Sequence, residues 1–170
     1  YWNDGLGWLP IGAGSYKFAS EFNGNGHTLH NLVIHRPSVG FVGLFSYSEL
    51  AYFHDFKLRA DITASDNSGG IVGHSWQTRF ENLSLDVVFV VDNGGIDCEV
   101  NICASEQVGG VVGSSDESHF ENIIVKAQIT GNTMPGVYGE LGGLAGTMAS
   151  GEVNEVSIYG EITGSERVGA

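Results

Sequence analysis

Gly110-Val111-Val112-Gly113, then Phe120-Glu121-Asn122-Ile123 and Ile129, is one copy of a pattern that runs through the chain. The leading segment recurs at Gly43-Leu44-Phe45-Ser46, Gly70-Ile71-Val72-Gly73 and Gly143-Leu144-Ala145-Gly146. Twelve residues after each first glycine stands a polar residue: Asp55, Asn82, Asn122 or Glu155. Apolar residues lie two before it, one after it and seven after it, the last being Ile62, Phe89, Ile129 and Ile162. Constant offsets at this period mean stacked supersecondary units.

The first glycines are 27, 40 and 33 residues apart. The basic period is therefore 27, with insertions of 13 and 6 residues placed at 90–106 and 132–140. Residues 1–28 read as an N-terminal cover and first coil, with Trp2 and Trp8 over the open end of the stack, where core and strand edges would otherwise face water. Ala170 falls 27 residues after Gly143, and the first residue is Tyr1 rather than methionine. Residues 1–170 accordingly read as one segment of a longer repeat protein.

Within a repeat, Ile123, Val125, Ala127 and Ile129 alternate with Ile124, Lys126 and Gln128. Phe56 to Ile62 and Val156 to Ile162 do the same. Period-2 alternation predicts strands with one buried face. The glycine segment predicts a second, shorter strand, and no apolar stripe of helical period is long enough for a helix. A single 27-residue unit cannot bury its own apolar face, whereas stacked units pair each strand in parallel with its copy. The fold expected is all-β, a right-handed parallel β-helix of about five coils.

Stacking predicts columns about 4.8 Å apart from rung to rung. Leu32, Phe56, Leu83, Ile123 and Val156 form one inner column, and Ile34, Leu58, Leu85, Val125 and Ile158 another. Asn31, Asp55, Asn82, Asn122 and Glu155 form a turn ladder, since asparagine tolerates tight turns and can bond its own copy. The outward column is His35, Arg59, Asp86, Lys126 and Tyr159, in which Arg59 and Lys126 flank Asp86.

Composition narrows the function. Glycine is high at 26 of 170 residues with only 3 prolines, which fits many turns between short strands and excludes collagen. The net charge of −13 disfavours nucleic acid and anionic lipid as partners. No apolar run reaches membrane-spanning length, so no membrane insertion is expected.

Trp8-Leu9-Pro10-Ile11-Gly12 and Phe22-Asn23-Gly24-Asn25-Gly26-His27-Thr28-Leu29-His30-Asn31-Leu32-Val33-Ile34 resemble the opening of bacterial repeat proteins that carry the GLUG motif. The four glycine segments resemble the motif itself, as do the turns Ile129-Thr130-Gly131 and Ile162-Thr163-Gly164. Asn23 stands where the family pattern has aspartate, Ser46 replaces the last glycine, and the segment holding Cys98 and Cys103 is not part of the repeat. The resemblance implies a right-handed β-helix in a secreted or surface setting. Proteins of this kind include adhesin-like proteins and the non-catalytic regions of IgA-peptidase-like proteins. No catalytic residues carry over.

Several side chains are candidate sites. His30 and His54, expected in successive coils and followed by Glu81 and Glu121, could approach metal-ligand distance or be exposed turn residues. Asp92, Asn93, Asp97 and Glu99 supply oxygen ligands of the kind calcium takes, or form a solvated glycine-rich turn. Cys98 and Cys103 can form a disulfide if their segment turns back; on one straight strand they face opposite sides. Tyr16, Tyr47, Tyr52, Trp76 and Tyr138 could stack on sugar rings or pack a loop onto the coil. Lys57 and Arg59, or outward carboxylates such as Asp61 and Asp86, would serve a polysaccharide lyase or glycoside hydrolase. Threonines do not repeat on one face, which ranks ice binding last.

The function expected is a non-catalytic extracellular stalk or adhesion module, with a host or environmental glycan or a surface protein as partner. Trp76, Tyr138, Asp92 and Asp97 are its candidate binding residues, and calcium is the one cofactor considered. A polysaccharide lyase or hydrolase on the same scaffold is the alternative.

Overall fold

A computed structural model of the chain describes residues 2–37, 39–92, 106–131, 139–164 and 168–169. The strands recur in one order. First come β1 (Glu21–Asn23) and β2 (Thr28–His35), then β3 (Phe45–Glu49) and β4 (Tyr52–Ala64). Three strands follow in each later pass: β5 (Ser68–Gly69), β6 (Val72–Trp76) and β7 (Arg79–Val91); β8 (Glu106–Gly109), β9 (Val112–Asp116) and β10 (Ser118–Thr130). The last are β11 (Gly139–Gly142), β12 (Ala145–Met148), β13 (Gly151–Thr163) and β14 (Val168–Gly169).

These strands form three sheets, and every pairing between them is parallel. One sheet runs β1-β4-β7-β10-β13 with β2 also on β4, a second β3-β6-β9-β12, and a third β5-β8-β11-β14. Parallel neighbours need a long connection, and here the other two sheets supply it. Phe53 pairs with Phe80 and Phe80 with Phe120, so the glycine spacing of 27 and 40 residues is also the strand register.

The core lies between the sheets. Phe53, Phe80 and Phe120 are fully buried and stacked, with centroids 5.4 and 4.9 Å apart. Phe56, Leu83 and Ile123 form one buried column, and Leu58, Leu85 and Val125 another. Facing them from the short strands are Phe45, Val72 and Val112.

The glycine motif has a steric cause. A Cβ on Gly70 would meet the carbonyl oxygen of Gly110 at 2.5 Å, and one on Gly110 would come nearer still to that of Gly143. Gly70 and Gly110 thus lie on their own copies in the next pass, and Gly43 lies against Gly69 and Ile71 beside its copy. The preceding glycines Gly69, Gly109 and Gly142 are equally crowded, by Val112 and Ala145 of the short sheet and, for Gly142, by Ala145 of its own pass. Their sequence signal is the doubled glycine at 69–70, 109–110 and 142–143, outside the four-residue motif itself.

Two expectations need correction. The polar residue twelve after the glycine is not in a turn between strands. Asp55, Asn82, Asn122 and Glu155 each lie inside a 13-residue strand, with φ of 57°, 53°, 51° and 52°. One left-handed residue bends the strand, and pairing resumes on both sides because every copy bends at the same place. Asparagine and aspartate occupy that region more readily than other non-glycine residues.

The first pass is also out of the expected register. Leu32 pairs with Ala60 rather than Phe56, Ile34 with Ile62 rather than Leu58, and His35 with Thr63 rather than Arg59. Asn23 lies on His54 and Thr28 on Lys57, so the Gly24–His27 turn holds two extra residues, and an irregularity between Leu29 and Leu32 holds one more. Asn31, at that irregularity, is left-handed (φ 56°) as the asparagine reading required, yet it does not stack on Asp55.

Gly110→Ala is expected to destabilise the fold by about 1–3 kcal/mol, the usual effect of overpacking a filled interior. Phe80→Ala, which empties the middle of the phenylalanine stack, is expected to cost about 3–5 kcal/mol. Urea unfolding followed by circular dichroism measures both. A Gly110→Ala protein as stable as the parent would show that the passes are not held at this close spacing.

Candidate functional site

Polar side chains concentrate on the outer face of the long sheet, where β4, β7, β10 and β13 begin. Alternation turns Phe53, Phe80 and Phe120 inward and their neighbours outward. Tyr52, Arg79, His119 and Glu152 form one outward column, and His54, Glu81 and Glu121 lie in the next. The two columns bond along the stack. The Tyr52 hydroxyl donates to Glu81 at 2.6 Å, and Arg79 Nη2 lies 2.9 Å from Glu81 and 3.2 Å from Glu121. His119 lies 3.2 Å from Glu121 and 3.1 Å from Glu152. The bond to Glu81, lost on ionisation, is the main reason the Tyr52 pKa is pushed up to about 12.

Beside these columns runs the expected ladder. Asn82 Nδ2 donates to Asp55 Oδ1 at 2.9 Å, and Asn122 Nδ2 donates to Asn82 Oδ1 at 2.8 Å. Asp55, which departs from the asparagine pattern, is half-exposed and accepts from both Asn82 and His54, and these bonds hold its pKa below the ordinary value.

His54 closes this end of the network. The residue is 7% exposed, and its ring lies 2.8 Å from both Glu21 and Asp55 and stacks on Tyr52 with centroids 4.1 Å apart. Burial is the largest single influence on its pKa and lowers it, but the two carboxylates together outweigh burial and the pKa is raised. His30 is not its partner; Asn23 occupies that rung. The His30–His54–Glu81–Glu121 column therefore does not exist as expected. Among the described residues, no three His, Cys, Asp or Glu side chains group closely enough to hold a metal.

A groove of about 450 Å³ follows the ladder. Asp55, Asn82 and Asn122 line it on one side, and Lys57, Ser84 and Ile124, one column on, line the other. The turn at Asn25 and Gly26 stands at one end, fixed by the Gly26 N–H donating to the Asp55 carbonyl at 2.6 Å.

A second polar cluster lies on the short sheet. The Ser114 hydroxyl donates to Asn67 Oδ1 at 2.7 Å, so His74 Nδ1, also at 2.7 Å, donates to Ser114. A serine held this way is not an activated nucleophile, which would need the histidine as acceptor. Burial lowers the His74 pKa. Beneath it, Ser48 bonds Thr78 and Ser75 bonds Ser115 and Ser118, all buried. The sequence signal for this hydroxyl column was a serine five residues after Gly43, Gly70 and Gly110.

No family model, curated protein or solved structure matches the chain. Among the described residues, no helix is long and apolar enough to cross a membrane.

The remaining candidates are scattered. Trp76 ends β6, half-buried and paired with Glu49 and Asp116. Tyr47 stacks on Phe41 at 4.6 Å, and Tyr16 is exposed. Asp92 follows β7, its N–H bonded to the Ala64 carbonyl. Asn93, Asp97, Glu99, Cys98, Cys103 and Tyr138 lie outside the described residues, and with them most of the calcium set and the disulfide candidate. Arg59 and Lys126 do flank Asp86, with Lys126 3.5 Å from it, whereas Asp61 pairs with Val88. An exposed ion pair of this kind contributes about 0–1 kcal/mol.

The His54 cluster makes stability depend on pH from both sides. The raised His54 pKa stabilises the fold fully below its ordinary value of 6.5, and that contribution disappears as pH rises through the folded value. The lowered Asp55 pKa stabilises it fully above its ordinary value of 3.8, and that contribution disappears as pH falls through the folded value. His54→Gln is expected to flatten the alkaline limb of a urea-midpoint-against-pH curve and, because the His54 bond is the largest influence lowering the Asp55 pKa, to weaken the acid limb as well. An unchanged alkaline limb would refute the assignment.

Proposed function

We propose that the chain forms a right-handed parallel β-helix of about five coils, serving as a non-catalytic stalk or adhesion module of a secreted or surface bacterial protein. The reading is supported by parallel pairing of copies at the repeat offset and by the resemblance to GLUG-motif proteins. One observation carries the non-catalytic part. Tyr52, Arg79, Glu81, Glu121 and His119 are bonded to one another along the stack, and of the described ionisable side chains only Asp55 and Lys57 line the groove beside them, so no acid, base and nucleophile face one point in it. Catalysis by acid, base or nucleophile needs that convergence. A stalk needs rigid repetition, with loops and faces for lateral contact. The partner in this reading is a host or environmental glycan or a surface protein.

The test is a panel of neutral and acidic polysaccharides, each offered with calcium and with a chelator. Retention of the protein without new reducing ends is the expected result. New chain ends would overturn the reading in favour of a polysaccharide-active enzyme. Loss of retention in chelator would point to the Asp92–Glu99 segment.

A further inference from the structure

We propose that the groove beside the Asp55–Asn82–Asn122 ladder binds a neutral, extended polysaccharide laid across the passes. The inference rests on the reading of the chain as a non-catalytic module and gives that module its ligand class and its site.

The ladder leaves bonding capacity unused. An amide offers two N–H donors and two acceptor lone pairs. Asn82 spends one of each on its rungs, and Asn122 spends one donor. Both residues are exposed and line the groove, so each keeps at least one donor and one acceptor available for a ligand there. The set repeats at the strand spacing of about 4.8 Å. A ligand that repeats its own hydroxyls at a similar rise can meet several rungs at once. Ile124, half-exposed on the opposite wall, gives an apolar surface for the C–H face of a sugar ring. The volume of about 450 Å³ lies in the range of ligand sites, about 300–1,000 Å³.

Charge selects the neutral class. Among the described residues Lys57 is the one cation lining the groove, and Asp55 lines it too. The chain carries a net charge of −13, which repels a polyanion. A polypeptide fits less well. Extended peptides gain affinity by pairing with a free sheet edge, and β4, β7 and β10 beneath this groove are paired on both sides. The site is also preformed, since the bonds of the ladder and the Asn25–Gly26 turn hold it without ligand.

The test titrates the protein with cellohexaose, xylohexaose, mannohexaose, hexagalacturonate and an unrelated extended peptide by calorimetry, and follows side-chain amide resonances by NMR. At least one neutral hexamer is expected to bind saturably and shift the Asn82 and Asn122 amides. Ser84→Trp fills the groove wall without touching the ladder and is expected to weaken binding by about tenfold or more. Val88→Trp, outward on the same strand but beyond the groove, is expected to leave it unchanged. The amide shifts of the parent protein answer the question even if a variant fails to fold. Preference for hexagalacturonate, tightest binding by an unrelated extended peptide, no binding of any hexamer, or binding that spares both amides would overturn the proposal. Panel retention undisturbed by Ser84→Trp would overturn the groove and leave the module reading standing. New chain ends that vanish in Ser84→Trp would overturn the non-catalytic reading and leave the groove as the sugar site.

Discussion

Everything in this fold depends on parallel pairing of each strand with its own copy one pass later. That pairing puts like on like. Phenylalanine stacks on phenylalanine at 53, 80 and 120, asparagine bonds asparagine at 82 and 122, and serine bonds serine at 75 and 115. It also demands that no side chain intrude where backbones approach most closely. The glycines at 70 and 110 meet that demand, because a Cβ there would strike the carbonyl of the copy above. The repeat is thus a consequence of geometry, and substitutions within it are constrained by the neighbouring pass as much as by their own.

The same constraint explains how polar groups are handled. A left-handed residue inside a strand would ordinarily break its ladder. Here every copy bends at the same offset, so the bend is continuous through the stack and its side chains bond one another. The outward face then becomes a set of parallel ladders, one of amides and others of alternating charge. Some charges find a partner one pass away, as Arg79 does in Glu121 and His119 in Glu152, and the same two side chains also pair within their own strands, with Glu81 and Glu121. At the first pass, where the copy is imperfect, the network closes on a buried histidine between two carboxylates. His54 is therefore a product of the irregularity in β1 and β2 as well as of the repeat.

Much of this was legible in the sequence. The strand faces, the core columns of the regular passes and the amide ladder follow from offsets alone, because a period-2 pattern repeated at one spacing has few ways to bury itself. Asp86 between Arg59 and Lys126 could be read in the same way. The doubled glycines and the serine five residues after the motif were equally visible, and they carry structural meaning that a search for charged clusters overlooks.

Other features were beyond sequence reading. Residues 21–35 resemble the later copies closely enough to suggest Asn31 on Asp55, yet extra residues in the Gly24–His27 turn and at Asn31 shift the register. Only contact with β4 decides where such residues are absorbed. The pairing of His54 with Glu21 in place of His30 follows from that shift, and so does the closed end of the groove. What the sequence by itself determined is the repeat, because its offsets are local and one-dimensional. What only the tertiary structure decided is which side chains meet where the repeat fails, because there the partner is chosen by three-dimensional closure of the chain.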